Sequence, residues 1–330
     1  MKIAMLTNNY RPFVGGVPIS VERQAQELVK LGHQVTVFAP MYESEDKEQS
    51  ARFREKVLEE DKRAPERVIR YRSQKKKMDN GMVYPGIYPT EIFEMFERER
   101  FDRIHVHHPM FVGPWALWLG KKYGIPVIYT YHTRYEDYLH YIPCFRLNEK
   151  STIVKRKAVE WIQKNVIPSY MRWFCNRCDL VFAPSAGMQQ VIREYGVDTP
   201  AAVFPTGLDG AFFRKDVRRS QEIRKQYSRG KRHLLVTVSR LEKEKNYGFL
   251  LRGIAELRLE LGDEFHVLII GDGSQKSELK VRASILGIQD VVTFMGNIPN
   301  DQVKDYLSAS DAFLFASKSE TQGIVLAEAL

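Results

Sequence analysis

The sequence predicts an α/β protein made of two doubly wound, Rossmann-like domains, and two observations carry that expectation. Short apolar runs alternate with amphipathic stretches throughout the 330 residues, the pattern of parallel sheets covered by crossover helices. The pattern restarts after FPTGLDG, Phe204 to Gly210, which sets domains at 1–205 and 206–330 with a hinge near Pro205–Gly210. In such pairs the ligand cleft lies between the domains, outside the carboxyl ends of the strands.

In the first half, strands are expected at Ile3–Leu6, Val35–Phe38, Arg103–Val106, Val127–Thr130, Leu180–Ala183 and Ala202–Phe204. Helices fall between them, for instance Val21–Leu31 and Trp115–Tyr123. The second half repeats the rhythm with strands at Leu234–Val238, Val267–Ile270, Val292–Phe294 and Ala312–Phe315, each followed by a stretch of helical period. Two segments depart from it. Met41–Gly81 is long and highly charged, ends in RVIRYRSQKKKMDNG, and is expected as a solvated surface loop with some helix. Ile153–Arg177 is long for one helix and is expected to break or kink at Pro168.

Composition narrows the class. With 44% hydrophobic residues the chain can build two cores, no apolar run approaches the ~20 residues that span a bilayer, and Lys2 enters a strand without a signal-peptide pattern. A cytoplasmic protein, soluble or attached to a membrane surface, is expected. Three cysteines occur, Cys144, Cys175 and Cys178; CNRC has redox or zinc spacing, but no second pair completes a metal site, so two reduced cysteines at a helix end are expected. The net charge of +9 implies an anionic partner: nucleic acid, an anionic membrane or a phosphorylated substrate. No nucleic-acid-binding motif accompanies it.

The residues that can carry chemistry cluster after strands. In SKSETQGIVLAEAL, Glu320 and Glu328 stand eight residues apart around Gly323. A helix starting there aims the N–H groups of Gly323 and Ile324 at an anion, sets Glu320 toward what that anion carries, and leaves Glu328 to hold a hydroxyl pair as acidic residues hold ribose. That spacing suits a nucleotide sugar, and equally a solvated helix face. Arg240 and Lys245, in SRLEKEKN after the first strand of the second half, can neutralise a diphosphate leaving group. Gly15 and Gly16 precede a helix and permit close backbone approach to a phosphate; Gly271 opens a second glycine turn, IIGDGSQ. His132 stands at the carboxyl end of a strand, facing the expected cleft, where a helix or loop could bring Asp137 or Glu136 nearby, and equally reads as a lone structural histidine. His105, His107 and His108 alternate across a strand and read as core or rim packing. There is no DxD for a metal-bound diphosphate, so metal-independent chemistry is expected.

Taken in order, the GGV loop, the HT after a strand, the APSAGM turn, PTGLD, SRLEKEKN, GDGS and ETQGIVLAE resemble a retaining GT-B glycosyltransferase of the large group 1 family, over nearly the whole chain. Within that family YTYHTRYEDYLHYIP, CNRCD and SETQG are most similar to the bacterial 1,2-diacylglycerol glucosyltransferases. The resemblance implies Gly16 near the donor diphosphate, His132 near the transferred sugar, Arg240 and Lys245 on the diphosphate, Glu320 on the sugar and Glu328 on the ribose. It also implies transfer with retained configuration and no protein nucleophile, the departing diphosphate accepting the acceptor's proton on the same face. Family members continue past the glutamate motif, so the second domain as given is expected to be incomplete, with a sheet edge uncovered.

The resulting expectation is hexose transfer, glucose from UDP-glucose, to a lipid such as diacylglycerol, by a cytoplasmic protein peripheral on the inner face of the cell membrane. No cofactor beyond the donor is expected. A mannosyl- or N-acetylglucosaminyltransferase acting on a polyol or lipid phosphate, and a catalytically silent nucleotide- or membrane-binding module, are the rival readings. The membrane contact is expected between Arg146 and Arg177, where Lys150, Lys155, Arg156, Lys157, Lys164, Arg172 and Arg177 outnumber Glu149 and Glu160 and Trp161 and Trp173 are interleaved.

Overall fold

The structure is a computed structural model that describes residues 1–13, 15–42, 47–77, 82–148, 150–208, 210 and 212–330. It divides into two compact units, Met1–Gly207 and Leu208–Leu330.

Among the described residues the first unit holds nine strands: β1 (Lys2–Leu6), β2 (Gln34–Pro40), β3 (Arg67–Tyr71), β4 (Ser73–Lys77), β5 (Val83–Pro85), β6 (Arg103–Val106), β7 (Val127–Thr130), β8 (Leu180–Ala183) and β9 (Ala201–Val203). Seven of them form one parallel sheet in the order β3-β2-β1-β6-β7-β8-β9, and β4 with β5 makes a small antiparallel ribbon. Both faces are covered, which is why the strands read as near-continuous apolar runs. Ile3, Met5, Val35 and Val37 pack against Val21 and Ala25 of the helix Gly16–Lys30. Ala4, Leu6, Ile104 and Val106 meet Ile92 and Phe96 of the helix Thr90–Arg98, Ala116 and Leu119 of Val112–Tyr123, and Met171 and Phe174 of Ile167–Cys175.

The second unit repeats the scheme with β10 (His233–Val238), β11 (Phe265–Ile270), β12 (Val292–Gly296) and β13 (Ala312–Phe313), parallel, in the order β12-β11-β10-β13. Alternation divides its core in two. Leu235, Val267 and Ile269 face the helices Tyr247–Leu261 and Lys276–Ile285, while Leu234, Val236, Leu268 and Ile270 face Val217–Tyr227 and Asn300–Ala309.

The charged segment Met41–Gly81 corrects the sequence reading where it is described. Residues 43–46 and 78–81 lie outside the described residues; the rest forms a helix, Lys47–Arg63, then β3 and β4. RVIRY joins the main sheet because its arginine is neutralised on site: Arg70 donates twice to Asp61, at 2.7 and 2.9 Å, and to the carbonyls of Pro40 and Arg11. The expected break at Pro168 takes the form of a π-helical turn, Ile162–Val166, between the helices Ile153–Trp161 and Ile167–Cys175. Pro168 follows directly, and the turn closed by the Ile167 N–H on the Ile162 carbonyl is where the otherwise continuous helix accommodates it. The helix expected from Val21 begins earlier, at Gly16, and the strand expected to Phe315 ends at Phe313.

Candidate active site

Strand order fixes where each sheet opens. In the second unit the chain runs from β10 out through β11 and β12, then returns to the far side of β10 as β13, so the connections reverse between β10 and β13. At such a switch point the loops diverge and leave a crevice at the strands' carboxyl ends. Here the loop after β10 carries Arg240 to Asn246, and the segment after β13 carries Ala316 to Gly323. Asn246 Nδ2 donates to the Ala316 carbonyl at 3.1 Å and Ser317 Oγ to the Glu244 carbonyl at 3.4 Å, so the two segments are stitched together. Lys245 Nζ lies 2.5 Å from Glu320 Oε1, and Arg240 donates to Glu244 at 3.1 Å. Lys245 and Glu320 therefore meet across the ends of β10 and β13, while Arg240 lies on the Lys245 loop and pairs with Glu244. The sequence did not show that Lys245 and Glu320 are bonded to each other.

The glycine turn after β11 supports that loop. A Cβ at Gly271 would lie 1.9 Å from the Ser239 carbonyl oxygen, and its φ of +132° is open only to glycine. A Cβ at Gly273 would meet the Leu241 backbone at 2.5 Å. Both glycines let the turn lie flat against the Arg240 loop, and Glu242 fastens it by accepting from Ser274 N–H at 3.1 Å and Ser274 Oγ at 2.6 Å. Gly271 thus has a packing reason within the protein. Gly323, at φ +69°, leads into the helix Ile324–Ala329, which carries Ile324 in its first turn and a part-buried Glu328.

In the first unit the reversal falls between β1 and β6. Asn8 clasps it, its N–H on His108 Nδ1 at 3.1 Å, its Nδ2 on the Met110 carbonyl at 2.8 Å and its Oδ1 accepting from Val112 N–H at 3.4 Å. Gly15 and Gly16 open the helix that follows β1. Gly15 is extended, a conformation any residue adopts, though a Cβ there would press on the Phe13 ring at 3.3 Å; a Cβ at Gly16 would meet nothing within 4 Å, so neither strain nor packing inside the protein calls for glycine at Gly16.

His132 follows β7, and its Nε2 lies 2.9 Å from Nδ1 of His107, the rings stacked at 5.2 Å. His107 lies in turn 4.3 Å from His105, whose Nε2 meets Thr130 Oγ1 at 2.7 Å. Burial holds His132 down at about 3; burial and then the neighbouring His132 hold His105 and His108 at about 3, and His107 is lowered in the same direction. All four are neutral near pH 7. His105, His107 and His108 are buried, as expected of core packing, but His107 is also what holds His132. The carboxylate of Glu136 accepts from Arg134 and Tyr195 instead of serving His132.

Sequence comparison decides the family. The profile of Glycosyltransferase Family 4 matches residues 14–212, and that of the Glycosyl transferases group 1 matches residues 219–330. The chain is a group 1 glycosyltransferase. It is 30% identical over 335 residues to the alpha-monoglucosyldiacylglycerol synthase of Streptococcus pneumoniae, covering all of this chain and 69% of that protein. To the synthase of the same name from Acholeplasma laidlawii it is 27% identical, over all of this chain and 78% of that one. Among solved structures it is similar to Anabaena HepE in complex with UDP-glucose, with a TM-score of 0.66 at 18% identity, over 100% of this chain and 78% of that chain. That likeness gives the fold, GT-B, and no more.

For this glycosyltransferase, sequence reasoning missed Glu242, Glu244 and Asn246, and read His107 as packing only. Glu242 and Glu244 alternate with Lys243 and Lys245, and that alternation was the available signal: the carboxylates turn inward and the Glu244 side chain is 2% exposed. Nothing local marked the pairing of His107 with His132, which joins them across 25 positions.

Proposed function

We propose that this glycosyltransferase moves a hexose, glucose from UDP-glucose, to a diacylglycerol-type lipid with retention of configuration, without a metal, at the inner face of a cell membrane. The meeting of Lys245 with Glu320 at the switch point of the second unit, with Arg240 on the same loop as Lys245, carries the reading, since such a strand end is where a nucleoside diphosphate and its sugar bind. The names of the relatives, both alpha-monoglucosyldiacylglycerol synthases, support the sugar and the acceptor.

In this reading Arg240 and Lys245 take the charge that grows on the departing diphosphate, the service a metal provides elsewhere. Glu320 holds the sugar hydroxyls, Glu328 the ribose, and Gly271, Gly323 and Ile324 bring backbone close to the donor. In the first unit, which takes the acceptor, Gly15 and Gly16 admit the diphosphate and His132 meets the transferred sugar as a neutral imidazole. Because His132 is neutral and paired with His107, it contributes a hydrogen bond and no charge. The departing diphosphate accepts the acceptor's proton on the face from which the sugar leaves, so no protein nucleophile is required.

No helix among the described residues is long and apolar enough to cross a membrane. Surface contact with an anionic bilayer is favoured by the helix Ile153–Trp161, which exposes Ile153, Val154 and Trp161, and by the next segment, where Arg177 lies 4.6 Å over the half-exposed Trp173 ring. Glu149 of that stretch lies outside the described residues. Thermal stabilisation by UDP, GDP and ADP, with EDTA present, tests the donor. UDP alone should raise the midpoint substantially, since a ligand at about 100 times its Kd adds about 2.7 kcal/mol. Stabilisation by GDP or ADP in place of UDP, or its loss with EDTA, overturns the donor or the metal-free reading respectively.

A further inference from the structure

The cation assigned to the diphosphate and the carboxylate assigned to the sugar are partners before any donor arrives. Lys245 and Glu320 meet at 2.5 Å, their side chains 14% and 26% exposed, across 75 positions of sequence. The fold builds this pair at the switch point; local sequence does not. We propose that the Lys245–Glu320 ion pair is a latch, in which Glu320 competes with the donor's diphosphate for Lys245 and so makes the site discriminate the nucleotide sugar from the sugar-free nucleotide. The inference rests on the roles given to these two residues above.

A diphosphate reaching Lys245 brings further negative charge to a cation already satisfied by a carboxylate. Two anions sharing one ammonium in a half-dry site repel, so Glu320 must withdraw as the diphosphate enters. What Glu320 gains in exchange depends on the ligand. A bound hexose offers hydroxyl donors to the displaced carboxylate, whereas a bare nucleoside diphosphate, whose ribose hydroxyls go to Glu328, has no hexose to offer Glu320. After transfer the carboxylate therefore loses its sugar partner, returns to Lys245 and loosens the product.

The exchange needs only a side-chain rotation, because the hydrogen bonds from Asn246 to Ala316 and from Ser317 to Glu244 hold the two backbone segments together throughout. Arg240 differs from Lys245 here. Its partner Glu244 belongs to the same loop, is nearly buried and stays in place. If the pair occupies Lys245 about nine-tenths of the time, the apparent affinity for the bare nucleotide falls about tenfold.

Titration calorimetry with UDP, on the protein and on the Glu320→Gln, Lys245→Met and double variants, tests this, with circular dichroism reporting folding and Glu320→Ala as a second removal of the charge. UDP should bind about tenfold more tightly to Glu320→Gln and to Glu320→Ala, and more weakly to Lys245→Met. In the Lys245→Met background, Glu320→Gln should change UDP affinity less than about twofold, because the latch has already lost its cation. UDP-glucose should gain nothing from Glu320→Gln. An unchanged or weaker UDP affinity in Glu320→Gln overturns the latch, as does equal tightening with and without Lys245, which is the signature of long-range charge alone. If Lys245→Met leaves UDP binding untouched, or the unaltered protein does not bind UDP, the diphosphate assignment itself fails and the latch with it.

Discussion

Arg240 and Lys245 differ in what their removal does. Each substitution by alanine should lower kcat/KM about 10²-fold, since each strips positive charge from a departing diphosphate. Arg240→Ala also removes a hydrogen bond from the nearly buried Glu244 carboxylate, and should cost about 1 to 3 kcal/mol of stability that Lys245→Ala does not. Steady-state rates beside thermal melts separate the two; equal activity losses with equal stabilities would contradict the assignment of Glu244 as Arg240's structural partner. The buried histidines make a prediction in pH. His105 and His108 are held at about 3 and His107 is lowered in the same direction, against about 6.5 in the unfolded chain, so below that value the unfolded state binds more protons than the native one. Their contribution to stability is complete above pH 6.5 and is lost as pH falls toward 3. His132, which keeps some surface, adds less. The urea midpoint should drop steadily between pH 6.5 and 4, and replacing His105 with glutamine should flatten that slope; a midpoint insensitive to pH over this range would mean that the cluster is not dry. Of these residue-scale facts the sequence showed the cations and His132, because each follows a strand. It could not show Lys245 on Glu320 or His107 on His132, since pairs 75 and 25 positions apart are made by strand order alone.

The strand-end loops act through the turns that brace them. Gly271→Ala would drive a methyl group into the Ser239 carbonyl and force a left-handed φ on alanine, and should cost about 3 kcal/mol or more. Gly16→Ala meets open space on a helix's first residue and should leave stability nearly unchanged while weakening UDP-glucose binding. Melting temperatures of the two variants check the contrast, and a destabilised Gly16→Ala would mean that packing, not a ligand, sets that position. Most strands were legible within two residues because buried parallel strands are apolar throughout, as FHVLII of β11 shows. β3 was not legible. RVIRY has the β-branched core of a strand, but its arginines and the charged run around it read as solvated, and Arg70 can be buried only because Asp61 and two carbonyls receive it.

For the whole molecule, a net charge of +9 and the exposed indoles beside it predict salt-sensitive membrane contact. Lys155 and Arg156 donate to carbonyls of the preceding loop, so charge reversal is read at Lys150, Lys157 and Lys164, the last of which also gives up its pair with Glu160 at 2.6 Å. Co-sedimentation with liposomes should rise with anionic lipid content, fall at high salt and weaken in that triple variant, each cation contributing about 1 kcal/mol. Equal recovery in the supernatant with and without anionic lipid would contradict a membrane role for this face. The central claim, hexose transfer from a nucleotide sugar to a lipid with retention, is tested most directly by incubating the protein with UDP-glucose and diacylglycerol in mixed micelles and recording the anomeric proton of the extracted lipid by NMR. An α-linked glucosyl lipid formed in the presence of EDTA is the predicted result. A β-linked product, or no glycolipid from UDP-glucose, would contradict the account.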